Sequence, residues 1–266
     1  MNFVDGRLLA TQLTEEVLNL VKKCKNPPRL MVVTCNPNFE TKKFLALKQT
    51  KAESLGVIMQ TVVLPEESTT DEMVTLIKDQ STKTDGIIVQ LPLPKHIDTD
   101  LVLQSIPKHQ DVDRFDYVGE NTDILPPVIG AIDEISKHYH VEWRDKKVVV
   151  FGQGRLVGAP AVLYAGAEGA RVEMVNENTT NTHFITKDAD IVILGVGKPN
   201  LLTSDMVKEG VVVFDAGASE DGGLLVGDAS LEVASKASLL TPVPGGIGPM
   251  TVILLFRNLL KLCSRQ

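Results

Sequence analysis

The chain has 266 residues, of which 43% are hydrophobic and 23% charged, and its formal net charge is −7. This composition is typical of globular proteins, and the length suits one large domain or two small ones. The negative charge, with no run of Lys or Arg, argues against a nucleic-acid partner held through phosphate contacts. No apolar run reaches the length of a membrane span and no signal-peptide pattern opens the chain, so we expect a cytoplasmic protein without a membrane partner.

The cysteines and histidines do not form a metal-binding pattern. Cys24, Cys35 and Cys263 are odd in number and lie far apart in the sequence, which suits a reducing compartment. The five histidines do not cluster with them. We therefore expect no metal.

Apolar runs alternate with helical patterns through the first half of the chain. Strands are predicted over residues 29–35, 57–64 and 87–93, and helices over 5–23, 41–55, 71–78 and 98–105. This alternation predicts a parallel sheet with right-handed crossovers. Residues 106–125 are irregular and acidic, which is typical of a passage between two lobes.

A glycine turn organises the second half, where residues 148–160 read VVVFGQGRLVGAP. A buried strand over 148–151 is followed by Gly152, Gly154 and Gly158, and then by a helix over 159–165. Such a turn lets the backbone approach an anion, and the helix N-terminus offers free N–H groups. The spacing is one residue longer than the common dinucleotide fingerprint. Alone, it also describes an ordinary strand-to-helix turn.

The remaining elements repeat the strand–helix alternation. Strands are predicted over 171–176, 190–196 and 211–216, and helices over 127–138, 204–208 and 252–262. The predicted fold class is therefore two-lobed α/β, with a Rossmann-like parallel sheet in the second lobe.

Four short patterns carry candidate chemistry. Thr41, Phe44 and Lys48 share one helix face, and Gln90 is the polar residue at the end of a buried strand, where open α/β sheets bind ligands. Asp111-Val-Asp113 brings two carboxylates, and residues 244–249 form a glycine-rich wall that can approach a flat ligand. Taken singly, these are also explained as a solvated lysine, a strand-end cap, a solvated loop and a turn.

Together, the segments Gln-Leu-Pro-Leu-Pro, Asp-Val-Asp and Pro-Val-Pro-Gly-Gly-Ile-Gly-Pro-Met-Thr resemble the methylenetetrahydrofolate dehydrogenase/cyclohydrolase family of the bifunctional FolD type. The resemblance runs from Asp5-Gly6 to the last helix. It implies a homodimer without metal, an oxidoreductase and hydrolase of one-carbon metabolism. The expected reactions are oxidation of 5,10-methylene- to 5,10-methenyltetrahydrofolate with NADP or NAD, and hydrolysis to 10-formyltetrahydrofolate. The expected domains are 1–123, completed by a helix at 250–266, for folate and 124–249 for the dinucleotide, with a cleft between the lobes.

The resemblance also assigns the site residues. Lys48 is the general acid/base, Gln90 holds and tunes it, and Asp113, or else Asp111, grips the pterin. The expected folate contacts are Thr41, Phe44, Leu91, Pro92, Asp111, Pro244, Gly245 and Gly246. The expected cofactor contacts are Gly152, Gln153, Gly154, Arg155, Val157, Gly158, Glu177, Gly195, Val196, Gly197, Ile247 and Thr251.

The chain departs from the family pattern at several of these positions. Thr41 and Phe44 stand where the family has Ser and Tyr. Phe44 lacks the tyrosine hydroxyl, which predicts a weakened hydrolysis step. Arg114 replaces a Gly after Asp-Val-Asp, and residues 124–128 lack a Thr and a Pro. Two alternatives follow: a catalytically impaired folate- or nucleotide-binding paralogue, or a two-lobed dehydrogenase of another small acid, such as a shikimate-type enzyme. The order of the motifs disfavours the second.

The residues near the glycine turn favour NAD over NADP. The family commonly has Arg and Ser where this chain has Gln153 and Gly154, so two groups that suit a 2′-phosphate are missing. Glu177 follows the next strand, where an acid reads a free ribose hydroxyl and would repel a phosphate. The opposing possibilities are that Glu177 points to solvent and that Arg155 or Arg171 supplies a cation.

Overall fold

The computed structural model describes residues 2–265. The helices are α1 Gly6–Val21, α2 Phe39–Leu55, α3 Thr70–Ser81, α4 Thr99–Gln104, α5 Pro127–Tyr139, α6 Gly158–Ala167, α7 Thr182–Thr186 and α8 Gly248–Cys263. The strands are β1 Asn2–Phe3, β2 Arg29–Cys35, β3 Ile58–Leu64, β4 Gly86–Val89, β5 Lys147–Phe151, β6 Arg171–Val175, β7 Ile191–Leu194, β8 Val212–Asp215, β9 Ser219–Asp221, β10 Leu224–Val226 and β11 Leu239–Leu240.

The chain forms two compact units, which we call the lysine unit and the glycine-turn unit. The lysine unit comprises Leu13–Asp116 and the chain from Val252 onward; the glycine-turn unit comprises the preceding residues from 2 to 12 and Tyr117–Thr251. These bounds differ from the predicted 1–123 and 124–249. Residues 2–12 cluster with the glycine-turn unit because β1 pairs with β11 and the Gly6 N–H donates to the Gly245 carbonyl at 3.0 Å.

The lysine unit is built on a three-stranded parallel sheet in the order β3-β2-β4. All four residues of β4 are buried, as are six of the seven in β2, which explains their continuous apolar sequences. Their side chains form a core with α3 and α4 that includes Val33, Ile77 and Ile87. Helix α2 begins at the Asn38 N-cap and ends at Gly56, which has the left-handed conformation expected of a glycine C-cap.

The glycine-turn unit is built on a six-stranded parallel sheet in the order β1-β11-β8-β7-β5-β6. Val149, Val192 and Val213 lie in its core on β5, β7 and β8. Because the strands are parallel, the loops after β5, β7, β8 and β11 all leave from the same side of the sheet, at the carboxyl ends of its strands, which we call the carboxyl edge. This edge therefore gathers the glycine turn, Gly195–Gly197 and the wall at 244–249.

The predicted fold class is confirmed, and the differences concern short elements and the ends of longer ones. The strand predicted over 87–93 is Gly86–Val89, and the helix predicted over 252–262 is Gly248–Cys263. Residues 204–208 were predicted as a helix, but only Ser204–Met206 form a single 3-10 turn. The sequence patterns missed β1, α7 and the antiparallel β9–β10 hairpin, which span two to five residues each. Segments this short do not complete a hydrophobic period. In the described part of the chain no helix is long and apolar enough to cross a membrane.

Candidate functional site

Helix α2 and the end of β4 bring the candidate acid/base into contact with its expected partner. The Lys48 ammonium donates to Gln90 Oε1 at 2.8 Å. The Gln90 side-chain amide in turn donates to the Leu91 carbonyl at 2.9 Å, and its backbone N–H donates to Val33 at 2.8 Å. The glutamine is thus held at both ends, so its acceptor oxygen is aimed at the lysine.

Asp113 is the charged neighbour of this pair. Burial lowers the pKa of Lys48, and the nearby Asp113 carboxylate partly offsets that shift. Burial raises the pKa of Asp113 in the same way, and Lys48 partly offsets it. The structure therefore brings Lys48, Gln90 and Asp113 together in the lysine unit, although they come from three separate segments of the chain.

Asp111 has different surroundings from Asp113. It is 4% exposed, and its carboxylate accepts the backbone N–H groups of Arg114 at 3.0 Å and Phe115 at 2.7 Å. Burial, reinforced by the charge of Asp113, raises its pKa to about 7 despite these hydrogen bonds. Asp111 thus closes a turn, and of the two carboxylates Asp113 is the one that interacts electrostatically with Lys48.

Arg114 has a backbone conformation that favours glycine, the residue that the family has at this position. Its φ is +55°, in the left-handed region that costs a non-glycine residue about 1 kcal/mol. The Arg114 guanidinium binds the Asp116 carboxylate at 2.7 Å, and both side chains are largely shielded from solvent. This ion pair and the bond from its N–H to Asp111 hold the arginine in the strained conformation.

The expected folate contacts are divided between the two units. On α2, Thr41 is 5% exposed and its N–H is bound by the Asn38 cap, whereas Phe44 is 54% exposed. The Leu91–Pro92 and Val243–Pro244 peptide bonds are both cis. Pro244 is exposed and Gly245 half-buried. Gly246 is buried, and a Cβ there would lie 2.7 Å from the Pro242 carbonyl oxygen, so the position requires glycine.

The glycine turn after β5 is shaped by close backbone contacts. Gly152 has φ +89°, and a Cβ at Gly158 would lie 2.2 Å from the Gly152 carbonyl oxygen. A Cβ at Gly195 would lie 2.3 Å from Val157 Cγ1. Side chains at Gly158 and Gly195 would prevent this close packing of the turn, the start of α6 and the loop after β7. We call the turn and the N-terminus of α6 the phosphate cradle, because such turns place free N–H groups where a phosphate can bind. Gly154 has open space around it and no such constraint.

The remaining expected cofactor residues fall into two groups. Gln153, Arg155, Glu177, Val196 and Gly197 are exposed at or beside this edge of the sheet. Ile247 is instead 3% exposed, and the Thr251 hydroxyl donates to the Gly248 carbonyl of its own helix at 2.9 Å. Ile247 therefore belongs to the core, and the Thr251 hydroxyl is engaged within α8.

Arg171 does not lie where it could serve the expected ribose site. It begins β6 opposite Lys147, whereas the glycine turn follows Phe151, which pairs with Val175 at the other end of the strand. Four strand residues separate these ends by about 13 Å. The Arg171 guanidinium donates instead to the Asp145 carbonyl at 3.1 Å.

Sequence reasoning missed two buried carboxylates in the glycine-turn unit, Asp215 and Asp228. Each directly follows apolar residues, in Val-Val-Phe-Asp and Leu-Val-Gly-Asp, which is the available signal. Among the described residues no group of His, Cys, Asp and Glu has the arrangement of a metal site.

A glycine turn at the carboxyl ends of the strands of a six-stranded parallel sheet is typical of the class of α/β proteins that bind a dinucleotide. Two family models match the chain: the catalytic domain of tetrahydrofolate dehydrogenase/cyclohydrolase over residues 4–113 and its NAD(P)-binding domain over 126–266. The chain belongs to the tetrahydrofolate dehydrogenase/cyclohydrolase family.

Individual relatives match over the full length. The bifunctional protein FolD of Sulfurihydrogenibium sp. (strain YO3AOP1) is 37% identical, covering 100% of this chain and 99% of the relative. The crystal structure of the Campylobacter jejuni bifunctional FolD is 34% identical, with TM-score 0.95 and coverage of 100% and 99%. The Trypanosoma brucei FolD structure, complexed with NADP cofactor and inhibitor, is 29% identical, with TM-score 0.90 and coverage of 99% and 97%.

Proposed function

We propose that this chain oxidises 5,10-methylenetetrahydrofolate to 5,10-methenyltetrahydrofolate with NAD(P), and hydrolyses the product to 10-formyltetrahydrofolate. The observation that carries the proposal is the 2.8 Å contact between the buried Lys48 ammonium and Gln90, with Asp113 beside it. Both full-length similarity and this contact favour a working enzyme over an impaired paralogue. Family membership argues against a dehydrogenase of another small acid.

In this proposal, Lys48 moves the proton of the hydrolysis step. Burial stabilises the neutral amine, so the lysine accepts and returns a proton more readily near neutrality than a solvated lysine does. Gln90 fixes the position of the nitrogen through its acceptor oxygen. As water adds to the methenyl carbon, the neutral amine takes one of its protons, leaving a hydroxyl on that carbon. When the carbon–nitrogen bond of the ring breaks, the ammonium returns this proton to the leaving folate nitrogen, and the hydroxyl proton passes to solvent as the formyl carbonyl forms.

Asp113 is proposed to bind the amino-pyrimidine edge of the pterin through a charge-assisted hydrogen bond. Asp111 supports the turn that carries it, because its two oxygens already accept two backbone N–H groups. The half-exposed ring of Phe44 offers a stacking surface, and Leu91 and Pro92 are proposed to line the same pocket.

The glycine-turn unit is proposed to hold the dinucleotide, whose nicotinamide ring accepts the hydride when bound. Gly152, Gly158 and the N-terminus of α6 form the phosphate cradle, since their backbones approach too closely for side chains. Gln153, Gly154 and Arg155 lie exposed in the turn, and Glu177 follows β6 as an exposed carboxylate. The carboxylate of Glu177 and the uncharged Gln153 and Gly154 favour NAD over NADP. Arg171 does not oppose this preference, because it is bound at the far end of β6; Arg155 is the cation of the turn that could attract a 2′-phosphate.

We predict that the purified protein binds NAD more tightly than NADP. Glu177→Gln is expected to narrow the difference between the two dissociation constants. Removing the carboxylate removes its repulsion of the 2′-phosphate and its hydrogen bond to the ribose. Both dissociation constants are measured by titration, followed by methylenetetrahydrofolate oxidation with each cofactor. Glu173→Gln is the matched control, since Glu173 is an exposed carboxylate on β6, the strand that Glu177 follows, and its partner is Lys147 at 3.3 Å. Tighter binding of NADP by the parent at both low and physiological salt contradicts the NAD preference.

The homodimer is proposed from the edge of the smaller sheet. In the described chain β3 is hydrogen-bonded to β2 alone, so its other edge is open over seven residues. Ile58 and Val63 on this strand are 50% and 55% exposed. Proteins normally cover a long apolar edge strand, and a second copy of the chain can do so.

The three free cysteines suit a reducing compartment, which supports a cytoplasmic location within the same proposal.

Val63→Lys is expected to convert a dimer into a monomer in analytical ultracentrifugation, because a lysine on an edge strand disfavours pairing. Leu231→Lys is the control, since Leu231 is 90% exposed and lies in the glycine-turn unit. A monomeric parent protein, or a Val63→Lys variant that sediments as the parent dimer does, rules out β3 as the interface.

A further inference from the structure

Two carboxyl groups are buried beneath the sheet edge that carries the glycine turn. Asp215 is 3% exposed and Asp228 is fully buried. An ionised carboxylate is costly to remove from water unless several hydrogen bonds compensate for the lost hydration. The partners of these two groups therefore indicate what they hold in place.

Asp228 binds three successive backbone N–H groups of Gly195–Lys198, which we call the β7 loop. One carboxylate oxygen accepts from Val196 at 2.7 Å and Gly197 at 3.1 Å, and the other accepts from Lys198 at 2.7 Å. Three successive N–H groups directed at one point form an anion-binding nest. Here the anion is a side chain of the same protein.

Asp215 links the segment that carries Asp228 to two neighbouring segments. Its carboxylate accepts from Gly217 at 2.9 Å and from Ala229, the residue after Asp228, at 2.8 Å. Its backbone N–H donates at 2.6 Å to the hydroxyl of Thr241, which directly follows β11 and precedes the glycine-rich wall. Glycine is required on both sides, because a Cβ at Gly217 would lie 2.1 Å from Asp228 Cγ and one at Gly227 would lie 2.2 Å from Asp215 Oδ2.

The β7 loop also contacts the glycine turn directly. A Cβ on Gly195 would overlap Val157, and one on Gly152 would lie 3.1 Å from Val196 Cγ2. The position of the loop thus sets the wall of the phosphate cradle. With its N–H groups turned inward, the loop presents the 47% exposed side chain of Val196 at its surface.

We propose that Asp228 is a positioning residue for the dinucleotide: it occupies the three N–H donors of the β7 loop, so that this loop contacts a nucleoside portion while the glycine turn alone holds the phosphates. This inference rests on the proposed cofactor site. Its physical basis is competition, since a phosphate at the β7 loop would have to displace a tethered, buried carboxylate and would be repelled by its charge.

Amide hydrogen exchange of the unmodified protein tests the occupied donors without any substitution. Although Val196, Gly197 and Lys198 are exposed, their amides are expected to be protected in the free protein and unchanged by added NAD. The amides of Gln153 and Gly154 in the glycine turn are expected to gain protection with NAD. Rapid exchange at 196–198 in the free protein, or protection there only with NAD, overturns the proposal.

The Asp228→Asn variant tests the positioning role. Asparagine has the same shape but places a donor where the carboxylate accepts, which releases part of the β7 loop. We expect the dissociation constant for NAD to rise about tenfold or more, while the KM for the folate substrate stays near the parental value. Asp205→Asn, an exposed aspartate of the same unit, serves as the control. An unchanged affinity for NAD in a folded Asp228→Asn protein contradicts the role.

The two measurements separate this inference from the proposed function. If the parent protein binds no nicotinamide dinucleotide, the proposed cofactor site fails, and exchange in the free protein still decides whether Asp228 occupies the loop. If Asp228→Asn does not fold, the exchange data on the parent decide the proposal alone.

Discussion

Replacing Lys48 with methionine is expected to abolish hydrolysis of 5,10-methenyltetrahydrofolate. Methionine has similar length but no titratable nitrogen, so the proton lost by the attacking water has no acceptor at this position. The dehydrogenase step is expected to fall less, because it depends mainly on the juxtaposition of two rings. Initial rates of both reactions, measured on the same preparation, give the ratio that tests this assignment.

The fold should tolerate the substitution. Lys48 lies on α2, methionine is a good helix former, and removing a buried ammonium lifts a desolvation cost. Lys42→Met is the matched control, since Lys42 is an exposed lysine of the same helix. A Lys48→Met protein that hydrolyses the methenyl compound at the parental rate would disprove the assignment.

A secondary effect on substrate binding has to be separated from the loss of proton transfer. Lys48 lowers the pKa of Asp113, so its removal lets burial raise that pKa further and favours the neutral acid. The proposed pterin contact then weakens. The turnover number at saturating folate isolates the proton-transfer defect, whereas the KM for folate reports the change at Asp113.

Restoring a phenol at position 44 is expected to increase hydrolysis relative to oxidation. Phe44 is 54% exposed and lies one helical turn before Lys48, so a hydroxyl can be added without disturbing the core. One hydrogen bond of about 1.4 kcal/mol, made in the transition state, corresponds to about a tenfold gain in rate. The hydrolysis rate of Phe44→Tyr relative to its dehydrogenase rate is the quantity to compare with the parent.

Phe39→Tyr provides a stringent comparison for this gain. Phe39 begins the same helix, is 66% exposed, and its ring lies 4.4 Å from the Lys43 ammonium. The same chemical change there should leave the rate ratio unaltered. If neither tyrosine increases hydrolysis, the missing hydroxyl at position 44 does not limit the reaction, and the Asp111–Asp116 turn with its strained Arg114 becomes the next segment to alter.

The sequence alone determined the alternation of strands and helices and hence the fold class. The strand predicted over 29–35 has the observed bounds, and those predicted over 171–176 and 211–216 differ by one residue at one or both ends. These elements were predictable because burial on both faces of a parallel sheet demands continuous apolar runs. The glycines of the turn were equally visible, since a positive φ at Gly152 and close backbone approach at Gly158 disfavour other residues there.

The tertiary structure decided which polar residues meet. The Asp-Val-Asp pattern by itself does not separate Asp111 from Asp113, yet Asp111 closes a turn and Asp113 interacts with Lys48. Arg171 was a candidate cation until the register of β5 and β6 placed it at the opposite end of the strand. Asp228 reaches donors 30 to 32 residues earlier in the chain. Such contacts depend on strand register and loop paths, which join segments distant in sequence, and local hydrophobic patterns carry no information about them.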